Sequence, residues 1–150
     1  MDLKVRRAEL KDLDKLTGFA YEEAREAEGA EKVPATLRTG IMTALMNKDI
    51  AVYWVLVDRD DVPVGNVSAL REWSNWNAGY YWWIMSMYIS PEFRGKGYVS
   101  LLLNTVKNEA KKQGALDLRL YVYNENARAI KAYEKNGFVE SKYKIMIQGL

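Results

Sequence analysis

I-M-S-M-Y-I-S-P-E-F-R-G-K-G-Y-V-S-L-L-L, residues 84–103, takes the chain from an aromatic, β-rich run through a short glycine-containing turn into an apolar-periodic helix. A strand–turn–helix unit of this kind is suited to holding a phosphate. The first amides of a helix have no intrahelical acceptors, and the helix dipole places partial positive charge there. Gly95 and Gly97 allow positive φ and leave room beside the backbone, while Arg94 and Lys96 add charge at the same point. The alternative is an ordinary strand-to-helix connection with a solvated basic turn, since a lone G-x-G is a weak signal.

Upstream of this unit, Tyr80–Ile89 reads as a strand. Tyr81, Trp83, Met85, Met87 and Ile89 are expected on one face, with Trp82, Ile84, Ser86 and Tyr88 on the other. Both faces are largely apolar, which places the strand centrally in a sheet. Two further strands, Ala51–Val57 and Val62–Trp73, are joined by the turn D-R-D-D. Before them lie a short strand over Leu3–Arg7, a helix from Asp12 to about Glu28, and a second helix opened by Pro34. Downstream, Tyr98, Leu102, Val106 and Ala110 keep helical spacing up to Gln113-Gly114. Leu116–Val122 alternates as a strand, Asn126 caps a helix carrying Ala129, Ile130 and Tyr133, and Phe138–Ile147 is expected to close the sheet as a last strand.

The 150 residues amount to one domain, residues 1–150, and nearly half of them are apolar. No stretch approaches the roughly 18 unbroken apolar residues of a membrane span, so no membrane partner is expected. The opening M-D-L-K-V-R-R-A-E-L lacks the apolar region of a secretory signal, which points to a cytoplasmic location. A formal charge of +2 gives no general argument for nucleic acid. Cysteine and histidine are both absent. That excludes disulfides, thiolate nucleophiles, Ser-His-Asp chemistry and the usual zinc ligand sets, so no metal is expected. Any acid or base must be a carboxylate, a tyrosine, an amine or bound water.

R-G-K-G-Y-V, followed about thirty residues later by N-A-R-A-I-K-A-Y-E-K-N-G-F, resembles the GCN5-related N-acetyltransferase (GNAT) family. The paired motifs cover roughly Ile84–Phe138, and the order of elements extends the resemblance to the whole chain. The resemblance implies an α/β fold with a central mixed, mostly antiparallel sheet, splayed at the fourth strand and flanked by about four helices. It also implies acetyl-CoA as co-substrate, lying in the opening of the sheet. Backbone of Met87, Tyr88 and Ile89 would meet the pantetheine arm as an added strand does. Amides of the turn Arg94, Gly95, Lys96, Gly97, Tyr98, Val99 and Ser100 would hold the pyrophosphate. Asn126 would contact the pantetheine and Tyr133 would face the sulfur. Val99 stands where the family turn usually carries Gly or Ala, which is tolerable if its side chain points into the core.

The activity so implied is N-acetyl transfer to a primary amine by direct attack in a ternary complex. Tyr133 can donate to the departing thiolate, its alternative being a core tyrosine. The base is unassigned, because Met85 and Ser86 stand where relatives place acidic residues on the fourth strand. Glu72, a first-helix residue such as Glu26, or a water chain are the candidates. An alkylamine with a pKa near 10.4 needs roughly 4–5 kcal/mol to be deprotonated at pH 7. The acceptor is expected to be a small-molecule or peptide-like cationic amine, drawn by Glu22, Glu23, Glu26, Glu28 and Glu31 and by the aromatic loop Trp73–Trp76. A homodimer is compatible with this reading. Two rivals are a non-catalytic acyl-CoA sensor and a nucleotide-binding α/β domain, the latter lacking both G-x-x-x-x-G-K-[ST] and G-x-G-x-x-G.

Overall fold

The computed structural model describes residues 2–150 and builds one five-stranded sheet. Its elements are β1 (Lys4–Arg7), α1 (Leu13–Glu28), α2 (Pro34–Met46), β2 (Val52–Val57), β3 (Pro63–Ser74), β4 (Gly79–Ile89), α3 (Tyr98–Lys112), β5 (Asp117–Leu120) and α4 (Ala127–Lys135). The strands lie in the order β1-β2-β3-β4-β5. The first three pairings are antiparallel and only β4 with β5 is parallel. The boundaries follow local chemistry. Pro34 opens α2 behind an extended Val33, and Gly29 stops α1 in the left-handed region at φ 66°.

The sheet is covered on both faces. Leu102, Leu103 and Val106 of α3 pack with Trp54, Leu56, Val67, Ala69, Trp82, Ile84 and Ile89 on one side. Leu13, Leu16 and Phe19 of α1 and Ile41 of α2 pack with Val55, Val57 and Tyr88 on the other. Among the described residues no helix is long and apolar enough to cross a membrane.

Three expectations from the sequence are corrected here. The alternation expected along β4 breaks at Met85, because Ser68 pairs with Ser86 while Ala69 pairs with Ile84. Met85 is the extra residue of a β-bulge, which re-aims everything after it. Trp82 and Ile84 therefore share the α3-side core with Met87 and Ile89, whereas Tyr88 turns to α1 and stacks on Phe19 at 5.4 Å. The second correction concerns Phe138–Ile147, which forms no strand. Phe138 packs against Tyr133, but Val139, Tyr143, Ile145, Met146 and Ile147 are exposed. The preceding strand is also shorter than the alternation from Leu116 suggests, being confined to Asp117–Leu120.

Candidate active site

β4 and β5 stay paired only from Tyr81–Asp117 to Ile84–Leu120. Beyond the bulge β4 runs on to Ile89 without β5, so the sheet opens there along one edge of β4. A cavity of about 470 Å³ occupies this opening, within the range of small-molecule sites. Its walls include Glu23 and Glu28 of α1, Met85 of β4, Tyr121 and Tyr123 after β5, and Asn126 and Tyr133 of the α4 region. A larger, more open depression of about 790 Å³ lies between α1 and the segment Glu31–Pro34, reaching Tyr88 and Ser90. It does not contain Tyr133, which lines the smaller cavity.

Glu23 is the central group. Its Oε2 accepts the Met87 N–H at 3.0 Å, a donor on the edge of β4 that faces the opening. Burial pushes this carboxyl up to about 7, with the negative charge of Glu28 adding and the Met87 hydrogen bond opposing. Tyr133 faces the same cavity, where burial, reinforced by the Glu23 charge, pushes its hydroxyl up to about 12. Tyr53 is raised as well, by burial and by Glu23, against a hydrogen bond with Ser68. Ser68 and Ser86 share a 2.6 Å hydrogen bond and Asn66 donates to Ser86, giving a polar patch on this part of the sheet. The carboxylate missing from β4 is thus supplied by α1, across the opening.

The glycine turn has the geometry expected of it. Gly95 and Gly97 stand at φ 73° and 86°, conformations that side-chain-bearing residues rarely adopt. A Cβ built on either would meet no protein atom within 4 Å, so the space beside the turn is open. Gly97 is the N-cap of α3, and no side chain caps that helix start. Val99 packs against the α3-side core, as its size requires, and Tyr98 joins it there. The arrangement fits a pyrophosphate.

Arg94 is placed differently from a free phosphate ligand. Its Nε donates to the Ile89 carbonyl at 2.7 Å and its Nη2 to Glu26 at 2.8 and 3.1 Å, with the guanidinium 5.3 Å from the Tyr88 ring. It ties the turn to α1, while Lys96 stays exposed near the Phe93 ring. Asn126 caps α4, its Oδ1 accepting the Ala129 N–H at 3.2 Å, and also borders the cavity.

The acidic end of α1 does not act as one patch. Glu22 is bonded to Arg25 and Glu26 to Arg94, while Glu23 and Glu28 reach the cavity. Glu72, a candidate base, instead accepts the Trp83 indole N–H at 2.9 Å. Trp73 and Trp76 are exposed at the far hairpin and line no part of the cavity, whereas Tyr121, stacked on Trp83 at 4.6 Å, does. Glu23, Glu28, Lys32, Met85, Tyr121 and Tyr123 are among the cavity residues that the sequence reading gave no role of their own. For Glu23 a signal existed: it continues the stripe Leu16, Ala20, Ala27 at steps of four and three, a carboxylate on the apolar face of its helix.

Residues 13–138 match the model of the acetyltransferase (GNAT) family, and the chain belongs to that family. It is 33% identical over 99 residues to an uncharacterized N-acetyltransferase of Methanocaldococcus jannaschii, a match covering 65% of this chain and 43% of that protein. It is 36% identical over 55 residues to the spermidine N(1)-acetyltransferase of Thermoplasma acidophilum, covering 37% of this chain and 34% of that protein. The matches thus span less than half the length of these curated relatives. Among solved structures, a possible acetyltransferase from Clostridium difficile 630 superposes with TM-score 0.91 at 32% identity, covering 99% of this chain and 97% of that one. A predicted acetyltransferase from Clostridium acetobutylicum, solved with acetyl-CoA, shares the fold at TM-score 0.81 and 21% identity, covering 98% of this chain and 96% of that one.

Proposed function

We propose that the protein transfers an acetyl group from acetyl-CoA to a primary amine by direct attack, with Glu23 as the base and Tyr133 as donor to the departing sulfur. The observation that carries this reading is that Glu23 and Tyr133 line one cavity where β4 and β5 part, beside the Met87 N–H. The acetyl-CoA in the Clostridium acetobutylicum relative and the open, uncapped turn at Gly95–Ser100 support the choice of donor. In this assignment the turn amides hold the pyrophosphate, backbone of Met87–Ile89 aligns the pantetheine, and Asn126 borders it.

The proton balance is simple. The neutral amine, its ammonium having first lost a proton to solvent, forms the new C–N bond to the acetyl carbon as the C–S bond breaks. The remaining surplus proton passes from nitrogen to Glu23 and the sulfur leaves as the CoA thiolate. A carboxyl with a pKa of about 7 is a far better base at neutral pH than an ordinary one near 4.3. Tyr133, with its pKa raised to about 12, keeps its proton throughout and stabilises the thiolate by hydrogen bonding. The Met87 N–H donates to Glu23 and so holds the base at the edge of β4 where the acetyl group is assigned.

A cationic acceptor suits the walls, where Glu23 and Glu28 outnumber the one cation, Lys32, and stand with the rings of Tyr121 and Tyr123. Spermidine, named for the Thermoplasma relative, is an amine of this kind. A sensor has no need of a base, whereas α1 supplies a buried carboxylate, Glu23, to this cavity. Thiol release from acetyl-CoA against a panel of amines tests the proposal. Turnover with polyamines or other cationic primary amines is expected, and acetyl-CoA binding with no turnover on any amine would favour the sensor.

A further inference from the structure

Tyr53, Ser68 and Ser86 stand side by side across β2, β3 and β4, since Tyr53 pairs with Ser68 and Ser68 with Ser86. Ser68 and Ser86 share their 2.6 Å hydrogen bond, Asn66 donates to Ser86 at 3.2 Å, and Tyr53 is hydrogen-bonded to Ser68. Asn66 lies opposite Val55 and Tyr88, which puts this polar row on the α1 face of the sheet. Ser68 and Asn66 are buried there. Buried polar groups in an apolar core often stabilise less than apolar packing would, and their best-attested use is to select one register over another.

The pair closes the bulge. Ser68–Ser86 is the first pairing after the extra residue Met85, and Ala69–Ile84 is the last before it. The two hydrogen-bonding edges of β4 change over at this point. The Tyr80 carbonyl accepts the Leu116 N–H on the β5 side, whereas the Ser90 N–H donates to the Val64 carbonyl on the β3 side. In a regular strand both residues would face the same edge. Because of the changeover Met87 turns its N–H to the opening, where Glu23 accepts it. Without the bulge the pairing of Ala69 with Ile84 would simply continue, setting Ser68 against Met85, Val67 against Ser86 and Asn66 against Met87. The Met87 N–H would then face β3, and Ser86 would enter the α3-side core beside Val67 with no partner for its hydroxyl. Ser68 and Asn66 would face methionine side chains in place of a hydroxyl.

We infer that Ser68 and Ser86, backed by Asn66 and Tyr53, are positioning residues for the base: their hydrogen-bonded pair selects the bulged register, and that register brings the Met87 N–H to Glu23. The inference rests on the reading of Glu23 as the base. The two hydroxyls touch no reacting atom and act through the backbone of β4. The titratable and charged groups around Glu23 are Glu28 of α1, Lys32 after it, Tyr53 of β2, Tyr121 and Tyr123 after β5, and Tyr133 of α4. A substitution at Ser86 removes none of them.

Nuclear magnetic resonance of the whole chain tests this, with the Met87 amide as the probe, because its chemical shift follows the ionisation of the carboxylate it is bonded to. In the parent protein that amide should titrate near 7. Ser86→Val, with the shape of threonine but no hydroxyl, should lose the titration. Its kcat/KM should fall about 10²-fold, the scale of a misplaced catalytic group. Ser86→Thr keeps the hydroxyl and should keep the titration. A folded Ser86→Val whose Met87 amide still titrates near 7 would sink the inference, and so would loss of the titration in Ser86→Thr. Loss confined to the valine variant, with turnover untouched, would uphold the register role and take catalysis away from Glu23. A parent amide that does not titrate near 7 would overturn both readings. Should Ser86→Val not fold, Ser68→Ala removes a single oxygen from the same pair and is read in the same way.

Discussion

At the scale of single residues, the site rests on two groups whose proton affinities are moved for related reasons. Glu23 sits in an enclosed place with a neighbouring carboxylate, Glu28, and one backbone donor, so its charged form is disfavoured. Tyr133 feels the same enclosure and the charge of Glu23 itself, so it stays protonated. The base is active only when ionised, and kcat/KM should therefore rise with pH and inflect near 7, apart from the later rise as the acceptor's own ammonium deprotonates. Glu23→Gln should lower the rate by about 10²–10⁴-fold and remove the inflection near 7. A variant that keeps that inflection would take the base role away from Glu23. Tyr133→Phe retains the ring that packs on Phe138 and should leave acetyl-CoA affinity intact while turnover falls about 10²–10³-fold. A fall below about threefold, with chemistry rate-limiting, would make it a packing residue. Tyr133 and Asn126 were singled out through the resemblance of their motif to the family, and both line the cavity. Glu23 was visible only as one of several acids, because its distinction lies in facing the opening of a sheet formed far along the chain.

Among the elements, helix ends and strand order were largely readable because local chemistry sets them: Pro34 starts a helix, Gly29 ends one, and the D-R-D-D turn joins two strands. The bulge at Met85 was not readable. A bulge is a property of two strands in register, and nothing in I-M-S-M-Y says that Ser86 will face Ser68 while Ile84 faces Ala69. Its effect is large, since it turns Tyr88 toward α1 and opens the β4 edge where Met87 meets Glu23. Residues 138–147 show the opposite case, a strand pattern over which no strand forms. The turn into α3 also carries a test. Gly97→Asp would place a side chain at φ 86° and a negative charge in the open space where the pyrophosphate is assigned. Acetyl-CoA affinity, measured by calorimetry, should fall at least about tenfold while the circular dichroism of the folded state persists. Unaltered affinity would remove the phosphate from this turn. Glu26, by contrast, belongs to the cofactor side through Arg94, so Glu26→Gln should disturb acetyl-CoA affinity more than it disturbs the acceptor.

For the molecule as a whole, the base of the proposed reaction is a cost to folding, and pH reveals it. Glu23 binds its proton up to about 7 in the folded chain, against the ordinary 4.5. Between these values the folded state holds more protons than the unfolded one, so stability falls as pH rises through this window. Above it the full penalty applies, on the order of 3 kcal/mol from a shift of this size. Asp61 works in the opposite direction and elsewhere: held down to about 2 by Arg6 and Lys11, it favours folding above the ordinary carboxylate range and ceases to do so only in strong acid. Glu23→Gln removes the ionisation while keeping the size of the side chain and an oxygen that can accept the Met87 N–H. At pH 8–9 the variant should be more stable than the parent by up to about 3 kcal/mol, a rise in Tm of roughly 6–12 °C for a chain of this length. Near pH 4 both carry a neutral group and the two melting curves should nearly coincide. The decisive measurement is the difference in stability across this range, by denaturant unfolding. A difference that stays flat from pH 4 to 9 would show that Glu23 ionises as an ordinary exposed carboxylate, and its standing as the base would go with it. A difference that grows with pH, in a variant that has lost turnover, would show stability given up at the site where the proton must be taken.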